Sequence, residues 1–330
     1  MEALTRDRLD PDRLAGRRVA VLGFGAQGRA QALNLRDSGV DVVVGLRPGS
    51  PRRAECEREG LATLPVDAAA AGCDVCVMLV PDEVQPRLYE EVLAAGLKPG
   101  GALLFAHGYN IHFRRLEPRA DLDVVLIAPL GIGEQVRRQY ELGRGVPALL
   151  AVHQDASGAA AALAGAYAAA NGHARAAVFA TTFKEETETD LFAEQAVLCG
   201  GLGQLITAAF ETLTAAGYPE ELAYFCCLHE VKLIADLVQS RGIAGMRRSI
   251  SSTAAFGDAT RGPRVIGPES RRAMQAILTE IRDGRFALEL DREMAAGAPT
   301  LAAWRAAAAA HPIEHVGERV RALMPWLDRS

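Results

Sequence analysis

The sequence predicts an α/β domain built on a parallel sheet, followed by an all-helical domain. Up to about Ala180 short β-branched runs alternate with helical stretches, the pattern of consecutive βαβ units. Beyond Thr182 the strand signal stops, and helical periodicity broken at Gly and Pro is all that remains. Length agrees, because 330 residues exceed what one hydrophobic core usually organises.

Strands are expected at Arg18 to Leu22, Val40 to Gly45, Val75 to Val80, Ala102 to Ala106, Val124 to Ala128, Ala148 to Val152 and Ala177 to Ala180, all short runs dominated by Val, Leu, Ile or Ala. Helices are expected at Ala26 to Ser38, then at Lys184 to Ala216, Glu220 to Gln239, Pro268 to Asp283 and Arg292 to Ala309. The alanine run Ala306 to Ala310 belongs to the last of these, since Ala has the highest helix propensity. The boundary is expected near Thr181 to Phe183, giving domains 1–181 and 182–330.

Composition removes several functions. Hydrophobic residues make up 49% and charged residues 23%, which excludes disorder, and a net charge of −5 offers no basic field for nucleic acid or anionic membranes. The longest unbroken apolar stretch, Gly158 to Ala170, is 13 residues, short of the roughly 18 to 20 that cross a bilayer, so no membrane span is expected. Asp7, Asp10 and Asp12 among the first arginines leave no signal-like apolar segment, which points to a cytoplasmic protein. Cys56, Cys73, Cys76, Cys199, Cys226 and Cys227 are then expected as thiols, the Cys73/Cys76 pair included. Only Lys98, Lys184 and Lys232 are lysines, against 33 arginines.

Gly23, Gly25 and Gly28 form G-x-G-x-x-G between the first expected strand and a helix. There the turn needs glycine, the backbone must approach a pyrophosphate, and the helix N-terminus favours the anion. An NAD site would place Asp or Glu at the end of the second strand. This chain has Gly45-Leu-Arg-Pro-Gly-Ser50, where Arg47 supplies a fork for a 2′-phosphate and Ser50 a hydroxyl, so NADPH is the expected cofactor. Asp82 and Gln85 follow the third expected strand at the carboxyl edge, where ligands bind, and Gln27 and Gly133 complete the expected cofactor set.

Together, Gly23 to Gly39, Gly45 to Ser50, Phe105-Ala-His-Gly-Tyr-Asn-Ile-His-Phe113, Thr182-Phe-Lys-Glu-Glu-Thr-Glu-Thr-Asp-Leu-Phe192 and His311 to Trp326 resemble ketol-acid reductoisomerase of the short bacterial class. The resemblance implies a Rossmann domain and a knotted helical domain, in a homodimer or higher homo-oligomer that shares active sites between subunits. It also implies Mg²⁺-dependent alkyl migration in an acetohydroxy acid, then NADPH reduction, as in branched-chain amino acid biosynthesis. Asp190 and Glu194, one helical turn apart, become Mg²⁺ ligands by this resemblance, a donor set suited to a hard cation. Glu230 and Ser251 become catalytic or substrate contacts, and His107 suits proton transfer or orientation near the nicotinamide.

Two departures stand out. The family's Tyr-Phe-Glu-Cys-Leu-His-Glu reads Tyr224-Phe-Cys-Cys-Leu-His-Glu230, so Cys226 replaces a metal-ligand glutamate, and a neutral thiol is a poor Mg²⁺ partner. The family's Ala-Pro-Lys-Gly-Pro-Gly reads Ala128-Pro-Leu-Gly-Ile-Gly133, with Leu130 at the lysine. An Arg-for-Lys bias does not explain a leucine. Ala255 and Phe256 likewise stand where the family has Glu and Tyr. These changes remove what migration demands most and spare the cofactor turn, so the expected function is an NADPH-dependent reductase of a small 2-keto or imino acid, with at most one Mg²⁺ and the isomerase stage lost or weak. The alternatives are a working ketol-acid reductoisomerase and a catalytically dead NADPH-binding subunit.

Overall fold

The computed structural model describes residue 1, residues 3–4 and residues 9–326. Asp7 lies outside the described residues. The chain divides into two compact units, Met1–Thr189 and Asp190–Ser330.

The first unit is an eight-stranded sheet in the order β3-β2-β1-β4-β5-β6-β7-β8, with β1 (Arg18–Leu22), β2 (Asp41–Leu46), β3 (Ala62–Pro65), β4 (Val75–Met78), β5 (Ala102–Phe105), β6 (Asp123–Pro129), β7 (Ala148–Gln154) and β8 (Val178–Ala180). The seven expected strands are present. The eighth, β3, is a four-residue edge strand beside β2 whose residues are only partly buried, so it lacks the apolar run that marks the others. Strands β1, β4, β5 and β6 are almost wholly buried because helices cover both faces of the sheet. One core layer gathers Val19, Val21, Leu33, Leu35, Val44, Val77, Leu104, Ile127 and Tyr167; the opposite layer gathers Leu22, Met78, Leu103, Phe105 and Leu126.

The expectation of a wholly parallel sheet needs correction: β7 runs antiparallel to β6. After β6 the chain turns through the Gly133–Glu141 helix and returns at the same end, so Ala148 faces Pro129 and the Leu130 amide donates to the Pro147 carbonyl at 2.8 Å. A crossover to the far end of the sheet, which parallel pairing requires, is never made.

The second unit is entirely helical among the described residues. Its core packs Phe210, Ala223 and Tyr224 against Ile313, Val316 and Val320 of the C-terminal Pro312–Ala322 helix, with Arg321 donating to the Tyr224 hydroxyl at 3.1 Å. The expected Arg292 to Ala309 helix is two, Arg285–Ala295 and Pro299–Ala309, broken where Ala298 adopts φ +57° ahead of Pro299. A further helix, Ser252–Val265, is hidden in sequence by Gly257, Gly262 and Pro263. The run Phe183–Ala215 corrects the expectation that no segment reaches spanning length. It is 33 residues long and contains an 18-residue window of mean hydropathy 1.4, 6% of it buried, because a window average tolerates scattered polar residues that an unbroken run does not.

Candidate functional site

The sheet order reverses between β1 and β4, and the crevice outside their carboxyl ends is where an open α/β sheet binds ligands. The glycine turn sits there. Gly23 has φ +98°, and a Cβ on it would lie 2.7 Å from the Leu79 carbonyl oxygen just past β4. No larger residue fits that bend. At Gly25 the space above the backbone is open, and Gly25 caps the Ala26–Asp37 helix without a side-chain hydrogen bond. The helix N-terminus is thus bare and faces free space, which fits a pyrophosphate. Gly133 is buried against this turn, and a Cβ there would collide with the Ala26 backbone. Gln27 bridges the same two segments, donating to the Gly131 carbonyl at 3.0 Å.

Arg47 is exposed just beyond β2, and the turn that follows is closed by the Ser50 amide bonding to the Arg47 carbonyl at 3.2 Å. Beyond β4, Gln85 is buried and occupied internally. It donates to Val80 O and Asp82 Oδ1, and accepts from Asn110 at 2.9 Å. Asn110 also donates to the Asp82 carbonyl at 2.9 Å, so Asp82 and Gln85 are tied to the segment that carries His107.

His107 follows β5. Its Nδ1 lies 2.9 Å from Glu186 Oε1, while Glu186 Oε2 accepts from the Gly108 amide at 2.8 Å and from Thr187 Oγ1 at 3.3 Å. Glu186 is only 2% exposed. A carboxylate can only accept, so this contact places the proton on His107 Nδ1 and fixes the ring. A Cβ on Gly108 would lie 2.5 Å from Thr187 Oγ1, so glycine lets the loop close onto the Phe183–Ala193 helix. Nearby, His112 Nε2 lies 3.6 Å from Glu188 Oε1, and burial lowers the His112 pKa from its ordinary value. Glu186 is the functional candidate that sequence reasoning missed, although Glu186, Asp190 and Glu194 recur every four residues along one helical stripe.

In the helical unit, the expected Mg²⁺ ligands Asp190 and Glu194 adjoin one π turn, and Cys226 and Glu230, where a thiol stands at the family's glutamate, adjoin another. Glu194 opens the Glu194–Leu198 turn four residues after Asp190, and Cys226 lies within the Phe225–His229 turn that Glu230 follows. Such turns interrupt a helix at an energetic cost and are frequent at functional sites. Cys226 and Glu230 are exposed, and the neighbouring Cys227 thiol is pushed up, first by burial. Ser251 caps the Ser252–Val265 helix by accepting from the Ala254 amide at 3.2 Å. Beside it a recess of about 520 Å³ is lined by Arg247, Asp258, Pro263 and Arg271, with Arg247 Nε paired to Asp258 at 2.6 Å. Cys73, at the end of the Val66–Gly72 helix, and Cys76, on β4, are buried thiols, and all six cysteines are free.

Residues 13–177 match the family model for acetohydroxy acid isomeroreductase, NADPH-binding domain, and residues 183–326 that for ketol-acid reductoisomerase, C-terminal domain. The chain belongs to the ketol-acid reductoisomerase family. An NADH-preferring ketol-acid reductoisomerase from an uncultured archaeon is 44% identical, with TM-score 0.95 over 98% of this chain and 99% of that one. A putative oxidoreductase from Jannaschia sp. (15% identical, TM-score 0.61, 81% of this chain and 97% of that one) and a semialdehyde dehydrogenase NAD-binding protein from Cupriavidus necator (19%, 0.61, 81% and 99%) share the fold alone. As a family member the chain is an NAD(P)-dependent oxidoreductase whose first domain is the reductoisomerase NADPH-binding domain.

Proposed function

We propose that this ketol-acid reductoisomerase converts an acetohydroxy acid in two stages, alkyl migration followed by reduction of the 2-keto acid, with migration the slower stage. The observation that carries the reading is a match spanning both domains, with 44% identity to a reductoisomerase over 98% of the chain. A second reading, reduction alone, is favoured by Leu130 and Cys226, which stand where the family has lysine and glutamate.

When bound, NADPH supplies hydride and Mg²⁺ supplies Lewis-acid polarisation. The glycine turn and bare helix N-terminus hold the pyrophosphate, and Arg47 with Ser50 hold the 2′-phosphate. His107, locked by Glu186, orients the substrate or moves a proton at its ring nitrogen. Asp190, Glu194 and Glu230 offer carboxylate oxygens, the donors Mg²⁺ prefers, whereas Cys226 offers none. One Mg²⁺ per chain is therefore the expected stoichiometry when Mg²⁺ is titrated calorimetrically into the NADPH-bound protein; two equally tight ions would contradict it.

Arg47 is expected to favour NADPH over NADH by about tenfold or more, or about 1.4 kcal/mol, and Arg47→Asp to reverse the order. Equal affinities in a fluorescence titration of the wild type would refute this. Leu198, Leu202, Leu205, Leu233 and Ile234 of the helical unit are exposed apolar residues, and we assign them to the interface of a homodimer. Light scattering should give twice the chain mass; a monomer at micromolar concentration would remove the assignment. The function itself is tested by following NADPH oxidation with 2-acetolactate and, separately, with 3-hydroxy-3-methyl-2-oxobutanoate. Activity on both supports reductoisomerase, whereas activity on the second alone supports the reductase reading.

A further inference from the structure

Behind the dinucleotide turn runs a chain of three hydrogen bonds that all point one way. The Tyr167 hydroxyl donates to Gln31 Oε1 at 2.6 Å, Gln31 Nε2 donates to Gln27 Oε1 at 3.0 Å, and Gln27 Nε2 donates to the Gly131 carbonyl at 3.0 Å. Tyr167 and Gln31 have no exposed surface, and burial drives the Tyr167 phenol far above its ordinary pKa, which keeps it a donor. Direction matters here. The phenol offers a proton, so Gln31 must turn its oxygen towards Tyr167 and its NH₂ group towards Gln27. Gln27 must then present oxygen inward and NH₂ to Gly131. Reversing either amide alone would set two donors or two acceptors face to face at the part-buried Gln31–Gln27 contact.

The two ends of the chain belong to different elements. Tyr167 lies on the Ala160–Ala170 helix in the core, whereas Gly131 lies between Leu130 and Gly133 in the loop after β6. Gln27 and Gln31 share the first helix one turn apart.

We propose that Tyr167 and Gln31 are positioning residues for cofactor binding, holding Gln27 so that it locks the Leu130–Gly133 loop against the dinucleotide turn. The proposal rests on reading Gly23 to Gly28 as that turn. Without the phenol, Gln31 can flip, Gln27 loses its fixed orientation, and the loop no longer presses on the turn. Neither residue reaches the reacting atoms, so affinity for the cofactor should change and the chemical step at saturation should not.

The test is fluorescence titration of NADPH, with steady-state kinetics on 3-hydroxy-3-methyl-2-oxobutanoate, for the purified wild type, Tyr167→Phe, Gln31→Leu, Gln27→Ala and the double variant Tyr167→Phe/Gln27→Ala. Loss of one such hydrogen bond should raise Kd and KM for NADPH about fivefold to tenfold in Tyr167→Phe. Its kcat should stay within about twofold. Gln31→Leu should weaken NADPH similarly, and the double variant should be no weaker than Gln27→Ala alone, because all act through Gln27. A merely structural Tyr167 would lower Tm while leaving Kd unchanged, or would add its loss to that of Gln27→Ala; either result overturns the proposal. If the wild type binds no NADPH, the reading of the turn fails and this proposal with it. If the wild type binds and the Tyr167 and Gln31 variants bind equally well, the hydrogen-bond chain alone is wrong.

Discussion

Glu186→Gln is expected to cut turnover on 3-hydroxy-3-methyl-2-oxobutanoate about 100-fold, within the range that a positioned proton-transfer group contributes. The carboxylate accepts from both His107 Nδ1 and the Gly108 amide with its two oxygens, at 2.9 and 2.8 Å. Glutamine has one acceptor oxygen and an NH₂ group, so one of those two donors must face another donor in a buried site. If the amide oxygen stays on Gly108, His107 loses the partner that sets its tautomer. If it stays on His107, the buried Gly108 N–H is unsatisfied, at about 1–3 kcal/mol. Glu186→Ala loses both acceptors and should lower Tm as well. Turnover of Glu186→Gln within threefold of wild type, measured at saturating NADPH, would show that His107 needs no such support.

Restoring Leu130→Lys and Cys226→Glu together is expected to raise turnover on 2-acetolactate by about tenfold or more, while either change alone does much less, because groups that act as one unit are strongly non-additive. The structure favours the experiment. Leu130 is 54% exposed and Cys226 is exposed, so neither new charge is forced into an apolar interior. Rates on the pre-formed keto acid should hardly move, since the cofactor turn is untouched. A double variant no faster than wild type on 2-acetolactate would show that the lysine and glutamate positions do not limit migration here.

Much of this was legible in sequence because it rests on local rules. Gly23, Gly25 and Gly28 are dictated by a bend and a close approach that only glycine permits, and the β-branched runs mark buried strands wherever helices cover both faces. What stayed hidden depends on partners distant in the chain. Glu186 looked like one acid in an acidic string, and its role appears only when β5 delivers His107 and Gly108 to it from 78 to 79 residues away. Tyr167 is one aromatic in the apolar stretch Gly158 to Ala170, where nothing local marks a partner, yet it meets Gln31 across 136 residues. Strand β3 is silent in sequence because a half-buried edge carries no apolar signature, and the antiparallel course of β7 is silent because composition does not encode direction. The resemblance to ketol-acid reductoisomerase was correct at the level of family. The reductase expectation weighed two substitutions above a likeness that extends across both domains.

Whether this chain performs migration before reduction is decided by the identity of the product. The protein is incubated with 2-acetolactate, NADPH and Mg²⁺, and the diol formed is identified by chromatography and mass spectrometry against authentic standards. The expected product is 2,3-dihydroxy-3-methylbutanoate in proportion to the NADPH consumed, because the methyl group moves to C3 before hydride reaches C2. Recovery of 2,3-dihydroxy-2-methylbutanoate, in which no methyl has moved, or unreacted 2-acetolactate from a preparation that still reduces 3-hydroxy-3-methyl-2-oxobutanoate, would contradict it.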